Sequence, residues 1–304
     1  MPNMTTKSNG VTIVSPMRPF KGAIAEVQRN AIQSWLLSAP NSEILLIEDE
    51  ESSTADEITD GRVRLLRTTK RSKLGAPLLD SMLREAAAMA AFNTIAYITA
   101  DVLLPPNIET ICHDLHKQFT TNQFFAICAR YDITSQQEIV FDSENWFRGV
   151  QDVVRNHGQF HGTSAVDLWI YPKTLTIDSP PFPIGRCGTD NWVIWKMKQL
   201  GVPVVDVTPN CMIVHQWHPK YASKSPLFYE EQLECVSLWP AMPYDAMSCI
   251  DADYLLVDSC LKRPSVLRRL HMHNRQNALY RFMIGQYRKL RKPELYSPKR
   301  AREV

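Results

Sequence analysis

Apolar positions along the first hundred residues repeat with two different periods, and the two take turns. Val11 to Val14 is a short β-branched run that predicts a strand, left through the loop Ser15, Pro16, Met17, Arg18 and Pro19. From Ile24 the apolar residues Val27, Ala31 and Trp35 follow at helical spacing, with Glu26, Gln28 and Arg29 on the other side, and Pro40 stops the helix. Glu43 to Ile47 predicts a second strand running into the acidic loop Glu48 to Glu51, and Arg62 to Leu66 a third. Gly75 to Ala91 predicts a helix with Leu78, Leu79, Met82, Leu83 and Ala86 on its apolar side. Ile95 to Ile98 is an uncharged run, which suits a strand covered on both faces. Strands alternating with helices predict a parallel sheet wrapped on both sides.

Beyond Pro105 and Pro106 the alternation lapses. The pattern predicts a helix over 107–118, a strand from Phe124 to Cys128 and a helix from Glu144 to Asn156. Residues 167–173, DLWIYPK, alternate like a strand at a sheet edge or in a smaller mixed sheet. The Pro- and Gly-rich segment 179–192 is a shaped loop that opens a helix ending at Gly201. Val204 to Val207 and Cys211 to Val214 predict strands, the second delivering HQWHPKY, residues 215–221. From about Pro264 to Lys292 the pattern is one or two basic amphipathic helices.

Composition adds a class and an asymmetry. Hydrophobic residues make up 44% and charged residues 22% of the 304, ordinary for a folded globular protein. The net charge of +2 divides unevenly: from Lys262 onward thirteen Lys and Arg face two Glu, so the tail carries +11 and the preceding 261 residues −9. Seven cysteines with no C-x-x-C pair read as reduced core thiols of a cytoplasmic protein. A polar start and the lack of any run of roughly 20 apolar residues predict neither a secretory signal nor a membrane span. The tail suits peripheral attachment to an anionic membrane, binding of a polyanion, or packing on the acidic body; no motif accompanies its charge to favour nucleic acid.

Asp101 is the lone acid at the end of the fourth strand, where open α/β sheets place their ligands; it could equally cap the turn before the next helix. Loops after strands one, two and four, carrying Arg18, Glu48 to Glu51 and Asp101, should converge at that edge. Neither G-x-G-x-x-G after the first strand nor G-x-x-x-x-G-K-S/T occurs, which excludes a dinucleotide fingerprint and a P-loop. Asp190 heads a helix and is either its cap or a general base. The pair His215 and His218 lacks further ligands at zinc spacing and reads as packed or solvent-facing histidines. Asp251 to Asp253 imitates D-x-D beside a weak strand and is set aside as a decoy.

Three segments together carry a resemblance. TADVLL (99–104), GRCGTDNW (185–192) and VHQWHPKY (214–221) are similar, in order and spacing, to the NADIIL, GRxxxDNW and IHQxHDY motifs of bacterial and plant glycosyltransferase-like proteins of GT-A type. The resemblance implies a Rossmann-like GT-A domain over 11–261, with a nucleotide-binding half (11–106) and an acceptor-binding half (107–261). A disordered stretch, 1–10, precedes it and the basic helical tail, 262–304, follows. It implies a nucleotide-sugar donor, UDP-sugar favoured over GDP-sugar, and a glycan or lipid-linked acceptor, as in polysaccharide biosynthesis. Pro16, Arg18, Glu48 and Asp49 would hold the nucleoside. Ala100 and Asp101 would face the diphosphate, with Mn²⁺ or Mg²⁺ bound by Asp101 and His215. Asp167 would bind donor sugar hydroxyls, Arg186 a phosphate or acceptor hydroxyls, and Asp190 would act as base, while Trp217 could stack on a sugar face. The sequence departs from the family at Thr99, where the first acid of D-x-D is expected, and at Pro219, where the related segment has Asp. Thr99 keeps open an inactive glycosyltransferase-like binding or scaffold protein; a sugar nucleotidyltransferase is the other enzyme reading.

Overall fold

Buried apolar runs do become the strands of a parallel sheet. The computed structural model describes residues 10–48, 58–67, 70–186, 188–218, 226–238 and 247–274. Strands β1 (Thr12–Pro16), β2 (Glu43–Glu48) and β4 (Thr94–Ile98) are buried along their whole length, whereas β3 (Val63–Arg67) lies at the sheet edge and is only half covered. β1 pairs parallel with β2 and β4, and β2 with β3. Successive side chains of a strand leave opposite faces. Ile13, Leu46, Ala96 and Ile98 therefore join one core with helices α1 (Gly22–Ser38) and α3 (Ile108–Gln118). Val14, Leu45, Ile95 and Tyr97 join the other with α2 (Leu79–Met89) and α5 (Thr189–Gln199).

The second half of the chain extends the sheet and adds a smaller one. β8 (Val166–Pro172) pairs antiparallel with β4 and with β6 (Phe125–Ile133), and β9 (Val204–Asp206) and β11 (Tyr254–Val257) continue in parallel with β6, ending on the hairpin strand β12 (Cys260–Lys262). This is a mixed α/β fold around a central, mostly parallel sheet, as the sequence pattern predicts. The expectation that 167–173 forms an edge or minor-sheet strand is corrected. β8 is central because both of its faces are apolar, Leu168 and Ile170 on one and Trp169 and Tyr171 on the other. The predicted strand Phe124 to Cys128 also runs on to Ile133. A bulge between Cys128 and Ala129 turns its second half into the small sheet with β7 (Gly158–Phe160), β10 (Ile213–His215) and β5 (Val102–Leu103), backed by α4 (Trp146–His157).

Helix α2 starts later than its apolar spacing suggests, because Arg71, Pro77 and Leu78 form extended bridges first. The chain divides into two compact units, one ending at Arg263 and one beginning at Pro264. In the second, residues up to 274 are described and form α7 (Val266–Asn274), with Arg268 and Arg269 in its sequence; the remainder of the predicted tail helix lies outside the described residues. Among the described residues no helix is long and apolar enough to cross a membrane.

Candidate active site

A tight turn presents Asp101. Val102 N donates to Thr99 O at 3.2 Å, which leaves Ala100 and Asp101 at the centre of the turn between β4 and β5. The exit is fixed to α1: Trp35 Nε1 donates to Val102 O at 2.9 Å and Ser38 Oγ to Leu104 O at 2.8 Å. β5 then pairs antiparallel with β10, His215 opposite Val102 and Val214 opposite Leu103. That two-residue ladder carries His215 to the turn although the two are more than a hundred residues apart in sequence. Gln216 completes the joint. Its backbone N–H donates to Asp101 O at 3.0 Å, its buried amide donates to Val27 O at 2.9 Å, and its Oε1 accepts from Asn30 Nδ2 at 3.0 Å.

Asp101 and two histidines form one cluster. Asp101 Oδ2 lies 3.4 Å from His215 Nε2 and 3.5 Å from His218 Nε2. Burial alone would raise the Asp101 carboxyl, but the two imidazoles and the Arg18 charge outweigh it and hold it well below the ordinary carboxylate range. One ligand atom from each of the three residues lies within 4.8 Å of the others. Opposite ligands of a small divalent ion stand about 4.2 Å apart, twice a bond of roughly 2.1 Å. The residues fit such an ion. Asp101 Oδ1 supports this: it is buried with no hydrogen-bond partner among the described residues. The reading of His218 as a packed or solvent-facing bystander is therefore replaced by a place in the cluster.

Past the bulge, β6 supplies a second layer of charge. Arg130 Nε lies 2.8 Å from Asp132 Oδ1, and its Nη1 donates to Asp167 Oδ2 at 2.8 Å. His161 Nδ1 meets Asp132 Oδ2 at 2.5 Å, and His215 Nδ1 stands 3.7 Å from Asp132 Oδ1. Asp132 thus faces the ring edge of His215 that points away from Asp101. Burial raises the Asp167 carboxyl above its ordinary value, and Asp101 adds to that while Arg130 and His215 oppose it. Burial works against the Arg130 cation, yet Asp167 and Asp132 leave its pKa raised.

Asp190 occupies the first turn of α5. The cap itself is Gly188, at φ +55° where a side chain would be strained, and no side chain caps the helix. Asp190 Oδ2 accepts from Val166 N at 3.4 Å. Burial first, then the charge of Asp167, pushes its carboxyl up to about 6, against the opposing pull of the amides of Val166, Asn191 and Asp190 itself. Tyr97, stacked on Trp169 at 4.3 Å, marks what these acids share: burial raises its phenol, and the charges of Asp167, Asp190 and Asp101 all add to the shift.

Other residues singled out in the sequence are not members of the three-residue cluster. Pro16 ends β1, and Arg18 N donates to Gln28 Oε1 at 2.7 Å while its charge reaches Asp101. Glu48 is buried at the end of β2, 3.6 Å from Arg67 Nη2; Asp49 lies outside the described residues, as do Cys187 and Pro219. Arg186 donates to Glu231 Oε2 through Nη2 (2.6 Å) and Nε (2.9 Å), with its guanidinium over the Phe228 ring. Asp251 and Asp253 are structural: Asp251 closes a capping box with Ser248, and Asp253 accepts from Lys198 and Val204 N. Sequence reasoning missed Arg130, Asp132, His161 and Gln216. The alternation Arg130, Tyr131, Asp132 after an apolar strand was the available signal for the first two.

No protein-family model matches the chain, and no curated protein matches it. Among solved structures it is similar to the crystal structure of S. aureus TarS residues 1–349 in complex with UDP-GlcNAc. The TM-score is 0.48 at 12% identity, over 75% of this chain and 66% of that one.

Proposed function

We propose that the protein is a glycosyltransferase that moves a sugar from a nucleotide-sugar to a glycan or lipid-linked acceptor with the help of a divalent ion. The observation that carries this reading is the Asp101, His215 and His218 cluster at the carboxyl edge of the sheet, with a separate half-buried carboxylate, Asp190, that feels the charge of Asp167 and lies outside the cluster. It agrees with the three motifs of the sequence. The ion, bound by Asp101, His215 and His218, would act as a Lewis acid toward the leaving diphosphate. Two imidazoles in the donor set favour Mn²⁺ over Mg²⁺, which prefers oxygen. His218 would supply a third ligand where the chain has Thr99 in place of a first acid.

The chain's own residues would divide the remaining work. Arg18 adds positive charge beside Asp101, suited to a phosphate. Asp167, held by Arg130, presents an acceptor for donor sugar hydroxyls. Asp190, raised to about 6, is deprotonated at neutral pH yet more basic than an exposed carboxylate, which suits removal of the acceptor hydroxyl proton. Pro16, Arg18 and Glu48 remain the described candidates for the nucleoside.

A thermal-shift titration with UDP-, GDP-, CMP- and dTDP-sugars, with Mn²⁺, with Mg²⁺ and with EDTA, tests the reading. A ligand at a hundredfold excess over Kd stabilises the native state by about 2.7 kcal/mol. One nucleotide family should give a Mn²⁺-dependent shift that Asp101→Ala removes. Folded protein that responds to none of them would sink the enzyme reading and leave a binding or scaffold protein.

A further inference from the structure

Beside the Asp101 turn lies a cavity of about 110 Å³ between α1 and the segment that follows β6. Its lining includes Glu26 and Asn30 from the helix, Gln136 and Gln137 from the segment, and Gln216 and Trp217 from the stretch between the two histidines. Gln216 belongs to both places: it is among the cavity's lining residues, and its backbone and side chain hold the carbonyl of Asp101. Trp217 is 38% exposed, an indole left open to solvent one residue before His218.

The chemistry of these walls narrows what could enter. Among the described residues the lining holds no Lys or Arg and does hold a carboxylate, Glu26, which disfavours a phosphate or diphosphate there. It is also smaller than the roughly 300–1,000 Å³ of pockets that enclose a drug-sized ligand. Three side-chain amides from Asn30, Gln136 and Gln137 offer donors and acceptors together, matching hydroxyls that both donate and accept. Gln137 is already oriented, its Nε2 donating to Ser135 Oγ at 3.0 Å. A partly exposed indole beside such groups suits a ring with an apolar C–H face and a polar rim. That ligand is a neutral sugar.

We propose that this cavity is a subsite for one saccharide residue of the acceptor, stacked on Trp217 and hydrogen-bonded by the amides of Asn30 and Gln137. The inference rests on the transferase reading and assigns the acceptor class to a carbohydrate. A bound chain would have one residue in the cavity and could extend past Gln216 toward Asp101.

The test uses the full chain. Glucose, galactose, mannose, N-acetylglucosamine and their 1,4-linked disaccharides are titrated by thermophoresis, with and without saturating UDP and Mn²⁺. At least one saccharide should bind, and binding should persist with UDP and Mn²⁺ present. Trp217→Ala should weaken it at least tenfold, Trp217→Phe by no more than a few fold, and Gln137→Ala several fold, all with an unchanged UDP-induced thermal shift. The proposal is overturned if no saccharide of the panel binds, if Trp217→Ala binds as well as the native chain, or if UDP with Mn²⁺ displaces the sugar, which would assign the cavity to the donor. A retained UDP shift without sugar binding removes the subsite alone. Native protein that shows no thermal shift with any of the four nucleotide families removes the transferase reading itself.

Discussion

Asp190 is the side chain whose protonation the fold perturbs in the range where enzymes work. Its carboxyl is raised to about 6, above the ordinary 3.8, so the folded state penalises the charged form. Stability from this group therefore increases as pH falls from 6 toward 4, and the penalty is fully present above 6. Asp190→Asn should stabilise the protein at pH 7 by on the order of 2–3 kcal/mol, a gain that urea titrations at pH 4 should no longer show. On the transferase reading the same substitution should cut turnover by about 10²–10⁴ while leaving donor binding intact, and the native chain should lose activity on an acid limb near pH 6. Asp132 offers a different test. It faces His215 from the side opposite Asp101, so Asp132→Asn should weaken Mn²⁺ binding by about 10–100-fold in a calorimetric titration, with sugar binding at Trp217 unaffected. An unchanged Mn²⁺ affinity would reduce Asp132 to a partner of Arg130 and His161.

Elements explain which parts of the site a sequence can disclose. Asp101 was legible because an uncharged strand followed by a single acid and two prolines is a local pattern, and His215 because a family motif named it. His218 was not, since its place depends on β5 and β10 meeting in a two-residue ladder that neither segment announces. Arg130 and Asp132 sit beyond the bulge in β6, where the strand continues after its apolar run has ended. The alternation over 167–173 does not disclose that β8 is central, because it is one of aliphatic and aromatic residues, and both sets are buried, on opposite faces. The loop at Arg186 shows what an element-level clamp does. Glu231 of α6 (Pro226–Ser237) accepts from Arg186 and from Leu74 N, so one buried carboxylate ties two loops to a helix. Burial would raise its carboxyl, but the groups around it, Ser72, Leu74 and Arg186, hold it below its ordinary value. Arg186→Met should cost about 3–5 kcal/mol in urea unfolding, the range for stranding one half of a buried ion pair. A loss under 1 kcal/mol would mean that the pair is solvated in solution.

On the scale of the molecule, the unit ending at Arg263 contains every residue of the candidate site, and the basic charge gathers after it. A chain ending at Arg263 should keep the donor-induced thermal shift. It should lose affinity for vesicles containing phosphatidylserine, by roughly 1 kcal/mol for each Lys or Arg that lay near the surface, and the full chain's binding should fade with added salt. Equal vesicle binding by both chains, including none, would rule out the tail as a membrane contact. Within that body, β6 runs through both sheets, its first half in the central one and its second half carrying Arg130 and Asp132 into the small one. The charges around the candidate metal cluster are thus strung on the same backbone as the core. In amide hydrogen exchange, Tyr131 and Asp132 should open only with Ile127, in a single cooperative step, so that the candidate site has no private way to melt.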